Sequence, residues 1–163
     1  MDRENLEIKN VDRKDLKTNQ LIQQALKARE YSYAPYSGFC VGAALLCSSG
    51  AVYTGCNIEN AAYSPSNCAE RTAFFKAVSA GEREFEAIAV AGGPAAEEPE
   101  DYCPPCGVCR QVMMEFCDPA EFRVILVKSA DETMEYKLAD LLPVGFGPGN
   151  LKRQDQIKKG GEQ

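Results

Sequence analysis

Asn67-Cys68-Ala69-Glu70-Arg71-Thr72-Ala73 is the stretch from which the rest of the chain is read. It sets a thiol, and two residues later a carboxylate, at the head of an apolar helical pattern continued by Phe74, Ala77 and Val78. A second stretch answers it: Pro105-Cys106-Gly107-Val108-Cys109-Arg110-Gln111, where two thiols at C-x-x-C spacing open a helix with apolar positions Val112, Met113 and Phe116. Three thiolates therefore come from two helix starts, where unpaired N–H groups and the helix dipole favour negative charge. Structural zinc ordinarily has four protein ligands, whereas catalytic zinc has three and keeps its remaining position for water. Cys68, Cys106 and Cys109 thus read as an open Zn2+ site, with Glu70 an unliganded carboxylate among them.

Composition narrows the chemistry around that site. Histidine is absent from the 163 residues, which excludes a Ser-His-Asp triad, a Cys-His pair and the H-E-x-x-H metalloproteases. Any proton carrier must then be a carboxylate, Lys, Tyr or Cys, and Glu70 is the natural choice. A net charge of −6 and a pI near 4.8 make the chain a poor candidate for gripping a phosphate backbone, so no nucleic-acid partner is expected. Met1-Asp2-Arg3-Glu4-Asn5 carries no apolar segment of the signal-peptide kind, and no window approaches a membrane-spanning run. The expectation is a cytoplasmic protein whose eight cysteines are free or metal-bound rather than paired. Cys40, Cys47, Cys56 and Cys117 read as small buried apolar residues.

Outward from the two cysteine helices, the remaining elements follow from periodicity and punctuation. Residues 1–11 are polar and form an expected flexible leader. A helix begins at Asp12 or Asp15 and continues to Ala28 through the pairs Leu21/Ala25 and Ile22/Leu26. Pro35 and Gly38 mark a loop, residues 39–47 an apolar strand, Ser48-Ser49-Gly50 a turn, and residues 51–58 its antiparallel partner. The helix at Cys68 runs to about Ala80 and stops at Gly81. Residues 85–92 and 123–128 read as buried strands, the second hairpinned to residues 133–137. A short helix at 138–142, a glycine-rich segment through Phe146, and a charged, flexible tail over 151–163 complete the chain. The order predicts one α/β domain over residues 12–150: a three-layer α/β/α sandwich around a mixed five-stranded sheet.

C-A-E-R-T-A followed by P-C-x-x-C-R-Q resembles the zinc-dependent cytidine deaminases of the small three-cysteine type, and N-I-E-N-A at residues 57–61 and L-P-V-G-F-G-P at 142–148 extend the likeness. The resemblance implies the cytidine deaminase-like fold and hydrolysis of cytidine or 2′-deoxycytidine: hydroxide generated at zinc attacks C4, while Glu70 moves the protons. It implies that Asn57 and Glu59 read the ribose, that Phe39, Tyr63, Ala69 and Phe146 contact the substrate, and that Arg71 and Gln111 stand behind the metal ligands. Three thiolates leave the zinc site with a formal charge of −1, so a hydrogen bond from Arg71 to sulfur would help keep the bound water acidic. In this family the residue matching Phe146 reaches a neighbouring subunit's site, which implies a homo-oligomer, most simply a tetramer.

Other readings stay open at the level of residues. Pro-Cys-Gly-Val-Cys before a helix is superficially a redox C-x-x-C, but that leaves Cys68 and Glu70 without a role. A purely structural zinc module would need a fourth ligand, for which Cys103 is the local candidate. A blasticidin-type aminohydrolase shares the metal chemistry, whereas N-I-E-N-A and F-G-P favour the nucleoside enzyme. Cys103-Pro104-Pro105 departs from the small polar residue common before P-C-x-x-C in the family, which leaves the contacts of that loop open.

Overall fold

In the computed structural model, which describes residues 13–151, every expected helix and strand forms. The order is α1 (Arg13–Ala28), a 3₁₀ turn (Arg29–Tyr31), β1 (Phe39–Cys47), β2 (Val52–Cys56), α2 (Ala69–Ser79), β3 (Phe85–Pro94), α3 (Gly107–Phe116), β4 (Arg123–Val127), β5 (Thr133–Lys137) and α4 (Leu138–Leu141). The expected leader lies outside the described residues, as does the tail beyond Leu151. The five strands form one mixed sheet in the order β2-β1-β3-β4-β5. β1 is antiparallel to both β2 and β3, β3 is parallel to β4, and β5 returns antiparallel to β4.

Alternation along the strands divides the core between the two faces of the sheet. Ala43, Leu45, Ile88, Val90, Val124 and Leu126 face α2 and α3, where they meet Ala73, Phe74, Ala77 and Met113. Ala44, Leu46, Ala87, Ala89, Ala91, Ile125 and Val127 face α1, where Leu21, Ile22 and Ala25 cover them. Phe74 is the centre of the first face: its ring lies 5.0 Å from Phe85 and 6.1 Å from both Phe116 and Phe122. The expected buried runs are confirmed most clearly in β3, where residues 87–91 are fully buried.

Two glycines set how closely the helices approach. A Cβ on Gly42 would collide with the α1 backbone at Ala25 O and stand 2.6 Å from Arg29 N. One on Gly55 would collide with Ala69 O and stand 2.5 Å from Ala73 N. Gly55 therefore lets the first turns of α2 lie directly against β2. Because β1 opposes both β2 and β3, those two strands run in the same sense, and β4 shares it. The connections leaving β2 and β3 consequently emerge at one edge of the sheet, so α2 and α3 begin side by side.

The structure shortens one expectation. β2 ends at Cys56 rather than at residue 58; Ile58 instead makes isolated bridges to Tyr33 and Asn67. That redirects the chain away from the sheet and towards the start of α2. Of the four cysteines expected to be buried, Cys47 is; Cys40, Cys56 and Cys117 are partly exposed, at a strand start, a strand end and a helix end.

Candidate active site

Cys68 and Cys106 are the residues immediately before α2 and α3, and both have extended backbones (φ −76°, ψ 156° and φ −66°, ψ 166°). An N-cap side chain usually accepts a hydrogen bond from the first turn. Neither thiol does so. They turn towards each other instead, with Sγ atoms 3.8 Å apart. Cys109, one turn into α3 and buried, brings the third sulfur, and all three lie within 4.8 Å of one another. Four-coordinate zinc with Zn–S bonds of about 2.3 Å places sulfurs roughly 3.8 Å apart. The thiols therefore fit a zinc ion, and Cys68, Cys106 and Cys109 form a group that could hold one among the described residues.

The electrostatics of the cluster agree with a cation site. Cys68 is pushed down to about 5, first by hydrogen bonding from the Cys109 thiol and further by Arg71 and Cys106, against the opposing effect of burial. Cys109 is pushed well up, chiefly because it keeps its proton and donates it in a hydrogen bond to the Cys68 thiolate, and then by burial. One sulfur is thus a thiolate stabilised by a neighbour's proton, the position a metal ion takes when it displaces that proton. Arg71 Nη2 donates to Cys68 Sγ at 3.5 Å, while its Nε is buried without a hydrogen-bond partner among the described residues. The guanidinium therefore faces the sulfur charge from the first turn of α2.

Glu70 is the second residue of α2 and 4% exposed, a buried charged side chain in an otherwise apolar interior. Burial raises its pKa to about 7, its own backbone N–H opposes the shift, and the Cys68 charge adds to it. A carboxyl held near neutrality beside a metal site can both accept and return a proton. It opens onto a cavity of about 310 Å³, whose lining includes Cys68, Ala69, Glu70, Cys106, Asn57 and Glu59.

The expected substrate residues divide into two groups. Asn57, Glu59 and Ala69 line the cavity. Phe39, Tyr63 and Phe146 are not part of its lining and are exposed, Tyr63 by 90%. Asn57 also holds the strand beside it: Oδ1 accepts from Val41 N and Nδ2 donates to Phe39 O, each at 2.8 Å. Glu59 accepts from Tyr36 N at 2.9 Å, from Ser37 N at 3.3 Å and from the Ser37 hydroxyl. Those bonds, led by Ser37, hold its carboxyl below the usual range. Gln111, expected behind the metal ligands, lies instead on the exposed side of α3 and donates to Phe146 O at 2.8 Å.

Sequence reading left Val41, Ser66, Asn67, Cys103 and Pro104 out of the cavity wall. The first three carry no chemical signature. Cys103 was noticed as a spare thiol, yet its place depends on Gly92: a Cβ there would stand 2.6 Å from Cys103 Sγ. Burial pushes Cys103 up to about 11, and its sulfur is not among those grouped closely enough with Cys68 to share a metal ion, so it is a wall residue of the cavity.

Residues 16–125 match the family described as "Cytidine and deoxycytidylate deaminase zinc-binding region". The chain belongs to this deaminase family. A cytidine deaminase of Sporosarcina psychrophila is 51% identical over 131 residues, covering 80% of this chain and 92% of that protein. One of Halalkalibacterium halodurans is 50% identical over 126 residues, covering 77% and 91%. Among solved structures, the crystal structure of cytidine deaminase from Burkholderia pseudomallei superposes with a TM-score of 0.71 at 49% identity, covering 78% of this chain and 97% of that one. The three-thiol cluster is consistent with the zinc-binding region for which the family is described, and the mixed sheet is the deaminase fold.

Proposed function

We propose that this chain is a cytidine deaminase, converting cytidine and 2′-deoxycytidine with water to uridine and 2′-deoxyuridine plus ammonia. The observation that carries the reading is Glu70: a buried carboxyl pushed up to about 7, two residues from Cys68, lining a cavity large enough for a nucleoside. Cys68, Cys106 and Cys109 would hold a zinc ion, which when bound would supply the Lewis acid that makes water nucleophilic at neutral pH. Glu70 would take one proton from the attacking water and deliver it to N3 of the ring, then take the proton of the hydroxyl added at C4 and pass it to the amine, which leaves as ammonia while the C4–N bond breaks. Arg71 offsets the excess negative charge of three thiolates. The Ala69 backbone, in the cavity wall, hydrogen-bonds the edge of the base in this reading.

Asn57 and Glu59 hold the sugar. Their bonds to β1 and to the Tyr36–Ser37 loop fix both side chains and still leave capacity, since an amide has two N–H donors and a carboxylate about four lone-pair sites. Glu59 beside the cavity also favours a neutral nucleoside over a phosphorylated one. Phe39, Tyr63 and Phe146, exposed on one chain, pack against substrate and subunit partners in a homotetramer, with Phe146 completing a neighbour's base pocket. Such an enzyme belongs to cytoplasmic pyrimidine salvage. No described helix is long and apolar enough to cross a membrane.

The test is direct turnover of cytidine, deoxycytidine, free cytosine and blasticidin by zinc-loaded protein. Both nucleosides should react, and free cytosine should be poorer by ~10⁴-fold or more, because a site that bonds the sugar leaves its polar groups unpaired without it. Efficient turnover of cytosine, or of blasticidin ahead of cytidine, would reject the assignment.

A further inference from the structure

Two consecutive side chains near the start of α3 reach a distant part of the chain. Arg110 Nε donates to Pro105 O at 2.7 Å and its Nη1 to Leu141 O at 2.8 Å. One guanidinium thus fastens the residue preceding a metal ligand to the end of α4. Gln111 is next, and its Nε2 donates to Phe146 O at 2.8 Å, across 35 residues of sequence. Between those two anchors runs Leu142-Pro143-Val144-Gly145, and it is under strain. Val144 has φ 55°, a left-handed conformation that a β-branched residue adopts only under constraint. Its side chain is fully exposed, so no packing of its own holds it there.

Strain of that kind persists only where the surroundings dictate the path. Here α3 dictates it. A Cβ on Gly145 would stand 2.9 Å from Leu142 Cδ2 and 3.1 Å from Met114 Cε, and one on Gly147 3.2 Å from Met114 Cγ, so the segment lies tight against the helix. The Phe146 ring, 58% exposed, has little packing on its own chain to fix its direction. Its backbone is fixed by the Gln111 amide.

We propose that Gln111, braced by Arg110, is the positioning residue for Phe146. The same first turns of α3 that carry Cys106 and Cys109 into one site are the platform from which Phe146 is presented to the next. The proposal rests on the reading of Phe146 given above, and the experiment separates the two. Gln111→Glu keeps the side-chain length but cannot donate to a carbonyl, and Gln111→Met removes the donor without adding charge. Both are compared with Phe146→Ala and with the corresponding double variants, measuring zinc per chain, melting temperature, and kcat and KM for cytidine.

Each Gln111 variant should keep its zinc and fold and raise KM roughly five-fold, the worth of a neutral hydrogen bond. On a Phe146→Ala background each should add less than about two-fold, because residues acting through one another are not additive. A wild-type KM in Gln111→Met, or effects that multiply in full with Phe146→Ala, would overturn the role of Gln111 while leaving that of Phe146 intact. Loss of zinc from the Gln111 variants would return the residue to the metal site and overturn the proposal. A wild-type KM in Phe146→Ala would overturn the reading of Phe146 and the positioning role with it.

Discussion

Replacing Glu70 by Gln separates the chemistry of the site from its architecture and gives two opposed readouts. Gln keeps the size and polarity of the side chain but carries no titratable proton. Turnover of cytidine by the zinc-loaded variant should fall by at least ~10²-fold, the low end for loss of a general acid–base. Stability should move the other way. The Glu70 carboxyl titrates near 7 in the fold rather than at 4.5, chiefly because burial disfavours its charge. At about 1.36 kcal/mol per pH unit, that gap corresponds to about 3 kcal/mol held against the folded state once the group is ionised. The folded pKa lies above the unfolded one, so the contribution of the protonated form is fully present below pH 4.5 and is lost as the pH rises through 7. Zinc would favour the charged form, so the comparison belongs in metal-free protein with thiols reduced. Urea unfolding at pH 8 should show Glu70→Gln more stable than the parent by about 3 kcal/mol, with the difference closing towards pH 4.5. Substantial turnover in a zinc-replete variant would refute the proton-carrying role, and equal stability at pH 8 would refute the burial cost assigned to Glu70.

Cys68→Ala, Cys106→Ala and Cys109→Ala should each lose zinc by metal analysis, whereas Cys103→Ala should keep both zinc and most activity; a zinc-free Cys103→Ala protein would show that the ligand set is wrong. Gly55→Ala forces a methyl into the Ala69 carbonyl and should destabilise by about 1–3 kcal/mol while weakening zinc retention, since α2 must move; unchanged denaturant midpoint and metal affinity would contradict that close approach. Light scattering should give a tetramer, and mixing inactive Glu70→Gln with a weakened Phe146→Ala chain should partly restore activity through sites that combine an intact Glu70 with an intact Phe146. A fully active monomer would reject the shared-site account.

What the sequence made legible was governed by how far each cause reaches along the chain. The helices and strands were readable because apolar spacing is local: Leu21/Ala25 and Ile22/Leu26 state the α1 face, and the unbroken apolar run in β3 states its burial on both sides. The cluster was readable for a related reason, since Cys68 with Glu70, and Cys106 with Cys109, are each fixed within one helical turn. Only their meeting is long-range, and two helix starts rich in thiols leave a metal as the simplest meeting point. Bonds between side chains and distant backbone leave no comparable trace. Asn57 braces β1 from 16 and 18 residues away, Arg110 reaches Leu141 across 31, and Gln111 reaches Phe146 across 35. The resemblance implies a place for Gln111 behind the metal ligands, but it stands two residues beyond Cys109 on α3, a turn of about 200° that carries its side chain to the opposite face. Helical spacing sends Gln111 away from Cys109, whereas the same two-residue separation does not part Glu70 from Cys68, which lies outside the helix. Cys68 precedes α2 in an extended conformation and is free to turn back, while Cys109 and Gln111 are both held within the regular turns of α3.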